Sequence, residues 1–467
     1  MPTATPIATP STTPQPSPAA GPTAWPRTIR SERGLEPVFA PDGTAYYLAG
    51  GLNARLVALD RAGNVKPGWP IEEPKGAQFG RPAVGPDGDV HVEECAGAEV
   101  GCVVHRLDEA GRDVPGWPID LPSDFACIVG SGCAPGDLTF GLDGDLYVSH
   151  PRKSRGLRVL ALDASGRIKP GWPVEPPRDG LHWGDLQIGG DGTLYLLGVP
   201  DGGGTRSRIA AFGRDGSRRP GWPVPVPGVR EYLVGPEGTV VTWRFVDDVG
   251  ELCMDPRRTV YTVLGAEGHR LPGWPRGSEG SASRPAIGAD GTLYYVSRTY
   301  RAYAHDLTGE IKAGWPVPAP GASGACGPET PSLAPDGTVF IVGDAVWARS
   351  PDGGRRPGWP YRPRGSLVGP CFDSECYGGH QAPAFGADGT AYLVAYRSAP
   401  GGVRAEIVAL DSEGQVKPGW PYRLPFDANE VSVGPISVSP DGRVIVQGGG
   451  WSPYILLALD PDGTLAD

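Results

Sequence analysis

The stretch RPAIGADGTLYYVSRTYRAYAHDLTGEIKAGWPVP, residues 284–318, holds one complete structural unit. PAIG leads into the tight turn Ala289-Asp290-Gly291, where glycine supplies the positive φ of a hairpin turn and aspartate bonds its own backbone. TLYYVS follows with the β-branched and aromatic content of a strand. RAYAHDL reads as a third strand, and a turn at Thr308-Gly309 leads into a fourth, EIKAGWPV. Four successive antiparallel strands with no room for a helix make one blade of a propeller.

The same unit recurs in both directions along the chain. GWP occurs around Trp69, Trp117, Trp172, Trp222, Trp274, Trp315, Trp359 and Trp420, with a ninth copy, AWP, at Trp25. Turns of the PDG type centre on Asp42, Asp87, Asp143, Asp191, Glu237, Asp290, Asp336, Asp388 and Asp441. Their spacing runs from 45 residues (Asp42 to Asp87) to 56 (Asp87 to Asp143), a period that belongs to propeller blades. Three residues before each turn acid stands a large apolar residue (Phe39, Val84, Phe140 and their equivalents). Two before it stands a small one (Ala40, Gly85, Gly141). Adjacent strand residues point to opposite faces, so each inner strand offers bulk to one neighbouring blade and a flat surface to the other. The last copy stops before its GWP, while PTAWPRTIR near the start is a fourth strand with no blade ahead of it. The sequence therefore predicts one all-β propeller over residues 21–467, with about nine four-stranded blades (eight as the alternative). An N-terminal strand completes the C-terminal blade and leaves no unpaired edge.

The pattern ALDxxGxxxPGWP followed by PAxxxDGTxYV resembles the repeats of the pyrroloquinoline-quinone-like (PQQ-like) propeller superfamily. That resemblance implies the fold and little about activity. The quinoprotein dehydrogenases of that group carry adjacent cysteines beneath their cofactor, and no two cysteines are neighbours here. PGWP is also similar to repeats of the FG-GAP type in surface proteins, but their DxDxDG calcium loop does not occur.

Composition narrows the partners. With a net charge of −11 and no basic stripe to follow phosphates, nucleic acid is not an expected partner. No stretch has the length of a transmembrane helix. Residues 1–20, within MPTATPIATPSTTPQPSPAAGP, are nearly free of charge and read as a disordered Pro/Thr-rich tether. The tether lacks the basic and apolar regions of a signal peptide, although such tethers follow an export signal or lipid anchor. An extracellular, cell-surface or periplasmic monomer is expected.

Eight cysteines support that location. Spacing suggests the disulfides Cys95–Cys102, Cys127–Cys133 and Cys371–Cys376, leaving Cys253 with Cys326. Each short loop would contribute about 2–3 kcal/mol, and the longest link about 4, by the loop-entropy model. All eight lie between a blade's second and third strands or between blades, connections that emerge on one face of an up-and-down propeller. Function usually sits on such varied loops. Candidate ligand-binding residues there are His182, Trp183, Asp185, Arg230, Glu231, Tyr232, Trp243, Arg244, His380, Gln381 and Trp451.

The repeated turn acids and motif tryptophans read as structural, because a residue in every blade serves the fold. Charged residues six places before the turn acid (Glu36, Arg81, Asp137, Asp185, Glu231, Arg284) read as salt bridges between blades. His91, His105, His269 and His305 fall in strands or turns, whereas His150, His182 and His380 are assigned to loops. None has zinc-site spacing, and no metal or cofactor is expected. There is no GxSxG elbow and no P-loop. The expected function is non-catalytic recognition of a glycan, peptide or protein on the looped face. The alternative is an enzyme at the axial mouth, either a quinone-dependent dehydrogenase or a polysaccharide lyase or hydrolase.

Overall fold

Each PDG turn is held from within. In the computed structural model, Asp42 Oδ1 accepts the backbone N–H of Thr44 at 2.8 Å and Oδ2 accepts its hydroxyl at 2.9 Å; Asp191, Asp290, Asp336 and Asp388 repeat the pattern. These turns join the first two strands of nine blades. The structure describes residues 25–30, 37–51, 53–96, 101–125, 135–151, 156–246, 258–324, 327–369, 381–400, 402–427, 433–449 and 454–466.

The blade read from residues 284–318 has strands Ala286–Ile287, Leu293–Ser297, Arg301–His305 and Val317–Pro318, hydrogen-bonded in that order. Its fourth strand is shorter than the sequence suggested. Ile311 bridges back to His305, and the chain then turns through Gly314-Trp315 before pairing again. In the third and seventh blades the fourth strand shrinks to single bridges, Val159–Val174 and Val346–Tyr361. All nine Trp–Pro bonds are cis.

The ends of the chain close the ring. Arg27–Ile29 pairs antiparallel with Tyr454–Leu459, with Thr28 opposite Ile455, completing the sheet of Ser437–Val438, Val444–Gly448 and Tyr454–Leu459. First strands of successive blades lie against one another, so they are nearest the axis. Packing between blades follows the bulk-against-flat pattern: Phe140 lies over Gly85, Val234 over Gly189 and Ile287 over Gly235. The small residue has a second cause that alternation does not reveal. A Cβ on Gly85, Gly141 or Gly386 would stand 2.6–2.7 Å from the Oδ1 of its own turn aspartate.

The core is divided among the blade interfaces. Tyr195, Leu197 and Ile209 of the fourth blade, for example, pack with Tyr232, Val240 and Leu264 of the fifth. The motif tryptophans seal these interfaces. Trp222 meets Tyr195 of its own blade edge-on at 5.4 Å and donates its indole N–H to Ala266 O of the next blade at 2.9 Å. Trp25, Trp69, Trp172, Trp274, Trp315, Trp359 and Trp420 donate in the same way to the next blade's third turn, at 2.8–3.2 Å. Lys312 and Lys417 tie the outer strand to the turn acids Asp290 and Asp388 at 2.9 and 3.2 Å. For Asp290, partial burial is outweighed by Lys312 and Thr292, and its carboxyl falls to about 2.

Several residues assigned to loops belong to strands. His150 lies in Leu146–Pro151, His182 and Trp183 begin His182–Ile188, Glu231 and Tyr232 lie in Glu231–Val234, and Trp243 and Arg244 lie in Val240–Val246. Strands run past the repeated motif towards the looped face, so the end of the motif does not mark the end of the strand.

Candidate functional site

The looped face over the fourth to sixth blades gathers most of the predicted residues. Its centre is an irregular inner strand. Pairing of His182–Ile188 with Leu194–Val199 shifts register between Gly184 and Gln187, and Asp185 sits in the shift with φ 52°. Two side chains brace it against the fifth blade. Gln187 donates to Tyr232 O at 2.8 Å and accepts the Val234 N–H at 3.0 Å. The Tyr232 hydroxyl reaches Asp185 O at 2.6 Å and Tyr195 O at 2.8 Å, and burial drives its pKa far up. Asp185 itself is exposed, yet the surrounding protein desolvates its carboxyl and raises its pKa, an effect only partly offset by Gln187.

Charged neighbours are mostly paired. His182 meets Asp201, and Glu231 meets Arg284 across the fifth and sixth blades, the interblade salt bridge that the spacing suggested. Arg230 and Arg244 are exposed and have no partner among the described residues. Trp183 and Trp243 are buried. The Trp183 indole donates to Pro177 O at 3.0 Å, and Trp243 packs with Tyr261, Trp274 and Tyr295. Neither ring has a face open to a ligand. Gln381 donates to Val433 O, and its own Oε1 is buried without a partner among the described residues. His380, Trp451, Glu36 and Cys127, Cys133, Cys253, Cys326, Cys371 and Cys376 lie outside the described residues, as does the N-terminal tether.

Two aromatic residues escaped the sequence reading. Phe245 is 43% exposed at the end of the fifth blade's second strand, and Tyr300 is 50% exposed in the sixth blade's second hairpin with φ 58°. A bulky residue in that left-handed region is uncommon. A basic sector was also missed: Arg349, Arg355 and Arg362 place their guanidinium carbons 5.4–5.9 Å from the Trp347 ring.

A second constellation lies between the second and third blades. Cys95 and Cys102 form the expected disulfide across the ends of Val90–Cys95 and Cys102–Leu107. Beneath it are Glu93, fully buried, and His150, whose Nε2 is 3.6 Å from Glu93 Oε1. Glu93 Oε2 accepts the Gly136 N–H at 2.5 Å, but burial dominates and pushes its carboxyl up to about 8. The signal for this group was in the repeat. At the place of Glu93 six of the eight other copies carry an apolar residue (Leu48, Leu197, Trp243, Val296, Val342 and Val394), and two carry Ser149 and Gln447.

The chain is similar in structure to several solved proteins. It is similar to a streptogramin B lyase (17% identity, 69% of this chain and 93% of that one, TM-score 0.38). It is similar also to BamB from Moraxella catarrhalis (15%, 67% and 80%, 0.34) and to the Dos1 propeller (8%, 95% and 97%, 0.42). No protein-family model and no curated protein matches the sequence. No helix among the described residues is long and apolar enough to cross a membrane.

Proposed function

We propose that this chain is an extracytoplasmic recognition scaffold that binds a glycan, peptide or protein partner on its looped face without chemistry of its own. The observation that carries the reading is the set of exposed groups on the fifth and sixth blades: Phe245, Tyr300, Arg230 and Arg244. Aromatic faces and unpaired guanidinium groups suit stacking and hydrogen bonding to such ligands. The braced inner strand of the neighbouring fourth blade adds rigidity, which reduces the entropy lost on binding. Of the titratable groups nearby, His182 contacts Asp201 and Glu231 pairs with Arg284. The described disulfide supports an oxidising compartment.

The test is a glycan and surface-protein binding screen of the wild type beside a Phe245→Ala, Tyr300→Ala, Arg244→Ala triple variant of equal thermal stability. The ligand found should bind the variant at least roughly tenfold more weakly, about 1.4 kcal/mol. Unchanged binding by the variant contradicts the placement on this face. Turnover of a sugar or alcohol, with or without added quinone, contradicts the non-catalytic reading.

A further inference from the structure

We infer that Glu93, Cys95, Cys102 and His150 form a two-state site, closed by the disulfide when oxidised and holding a zinc ion when a dithiol has reduced it. The geometry carries the inference. One donor atom from each residue lies within 4.8 Å of all the others, and all four side chains are buried. His150 Nε2 stands 3.9 Å from Cys95 Sγ, 3.7 Å from Cys102 Sγ and 3.6 Å from Glu93 Oε1, and Cys95 Sγ stands 3.4 Å from Glu93 Oε1. Zinc bonds of about 2.0–2.3 Å to oxygen, nitrogen and sulfur give a tetrahedron with edges of about 3.3–3.8 Å. The donors already stand close to those separations, and opening the sulfur–sulfur edge is the main change needed.

The structural alternative is that Glu93 and His150 only strap two blades together, through the Gly136 N–H and the ring contact of His150 with Phe125. That role does not require a buried carboxylate, because six other blades use an apolar residue at the same position. Nor does it require sulfur, imidazole and carboxylate donors converging on one point. This donor set suits zinc, whose affinity for thiolate and imidazole exceeds that of magnesium or calcium.

The chemistry balances without the protein losing atoms. A dithiol donates two electrons and two protons to the Cys95–Cys102 bond and becomes a cyclic disulfide, leaving two thiols. Zinc then binds two thiolates, a neutral imidazole and a carboxylate, and the displaced protons go to solvent. An oxidant of the disulfide class reverses the sequence and expels the metal.

The experiment uses the full chain, reduced and desalted without oxygen, with Co²⁺ as the spectroscopic probe and Zn²⁺ as competitor. The other six cysteines are replaced by serine in one arm. Reduced protein should bind one Co²⁺ with the intense visible bands of a tetrahedral thiolate site, and zinc should displace it. The oxidised protein should bind none. His150→Ala and Glu93→Gln should each weaken zinc roughly tenfold or more, the scale on which changes around a metal site act. A second measurement needs no variant: zinc should protect Cys95 and Cys102 of the reduced wild type from alkylation, read by peptide mapping. Full alkylation of both in the presence of zinc overturns the inference. So does metal binding that is unchanged by His150→Ala and Glu93→Gln or retained when Cys95 and Cys102 are serine.

Discussion

The interface between the fourth and fifth blades and that between the second and third are built from the same motif and held differently. At the first, Gly221 brings the chain so close to the next blade that a Cβ there would stand 2.1 Å from Glu267 O, and Trp222 donates to Ala266 O. At the second, nothing lies within 4 Å of a Cβ built on Gly116. The carbonyl of Ala164, which Trp117 would be expected to take, accepts Arg106 Nη1 at 3.1 Å instead. Arg106 also pairs with Asp87 and Asp89 at 2.6 and 2.7 Å, standing in for the lysine that blade two lacks, since Val114 occupies the place of Lys66. Inside this interface, Glu93, His150 and the disulfide lie beside an apolar cluster that includes Val104, Phe125, Leu146 and Leu160. A repeat can thus lose its usual latch at one interface, provided other bonds close the gap, and polar groups can then occupy that interface.

The largest expected difference comes from the close approach. Gly221 and Gly116 have φ of 82° and 93°, so alanine at either costs about 1–2 kcal/mol for the left-handed backbone. Gly221→Ala must also displace the neighbouring blade and should destabilise at least twice as much as Gly116→Ala in thermal melts. Equal losses would show that the two interfaces are not different in kind.

Removing the indole donor should separate them again, by less. Trp222→Phe leaves Ala266 O without its partner and should cost about 1–3 kcal/mol. Trp117→Phe removes no interblade bond, and its melting temperature should fall by a small fraction of that change. A similar fall for both would mean that the ring, and not the N–H, supplies the latch.

A pH profile gives the smallest and most local effect. His305 is buried against Tyr295 and Trp274, and burial holds its pKa below the ordinary 6.5. The folded state therefore binds this proton less readily than the unfolded chain. Its stabilising contribution is complete above pH 6.5 and is lost as the pH falls towards the folded value. His305→Leu, which restores the residue found at Leu59, Leu162 and Leu410, should flatten the fall in melting temperature between pH 7 and 5. An unchanged slope would assign the acid sensitivity elsewhere.

Much of this architecture was legible because its devices are local and repeated. Turn acids, the glycines beside them and the tryptophans appear once per blade, and alternation alone paired large residues with small. Contacts between blades that lie outside the repeated motif were not legible. Glu93 and His150 come from different blades, and no spacing rule joins them. Arg443, buried and bonded to Arg61 O at 3.0 Å across the seam, follows a turn where other copies have Thr44 or Thr292. On the looped face, the motif ends before the strands do. Trp183 and Trp243 therefore read as loop aromatics although they are core, while Phe245 and Tyr300 are the rings that reach solvent.

The ring closes with the same latch that joins seven of the other interfaces: Trp25 of the N-terminal segment donates to Arg61 O at 2.8 Å, and Arg27–Ile29 supplies the last blade's outer strand. Thermal melts of chains lacking residues 1–20 and 1–31 test this directly. The shorter deletion should melt with the wild type. The longer one removes Trp25 and the closing strand, exposes Tyr454–Leu459 as an open edge, and should lower the melting temperature sharply and promote self-association. Equal melting temperatures for the two deletions would contradict the closure.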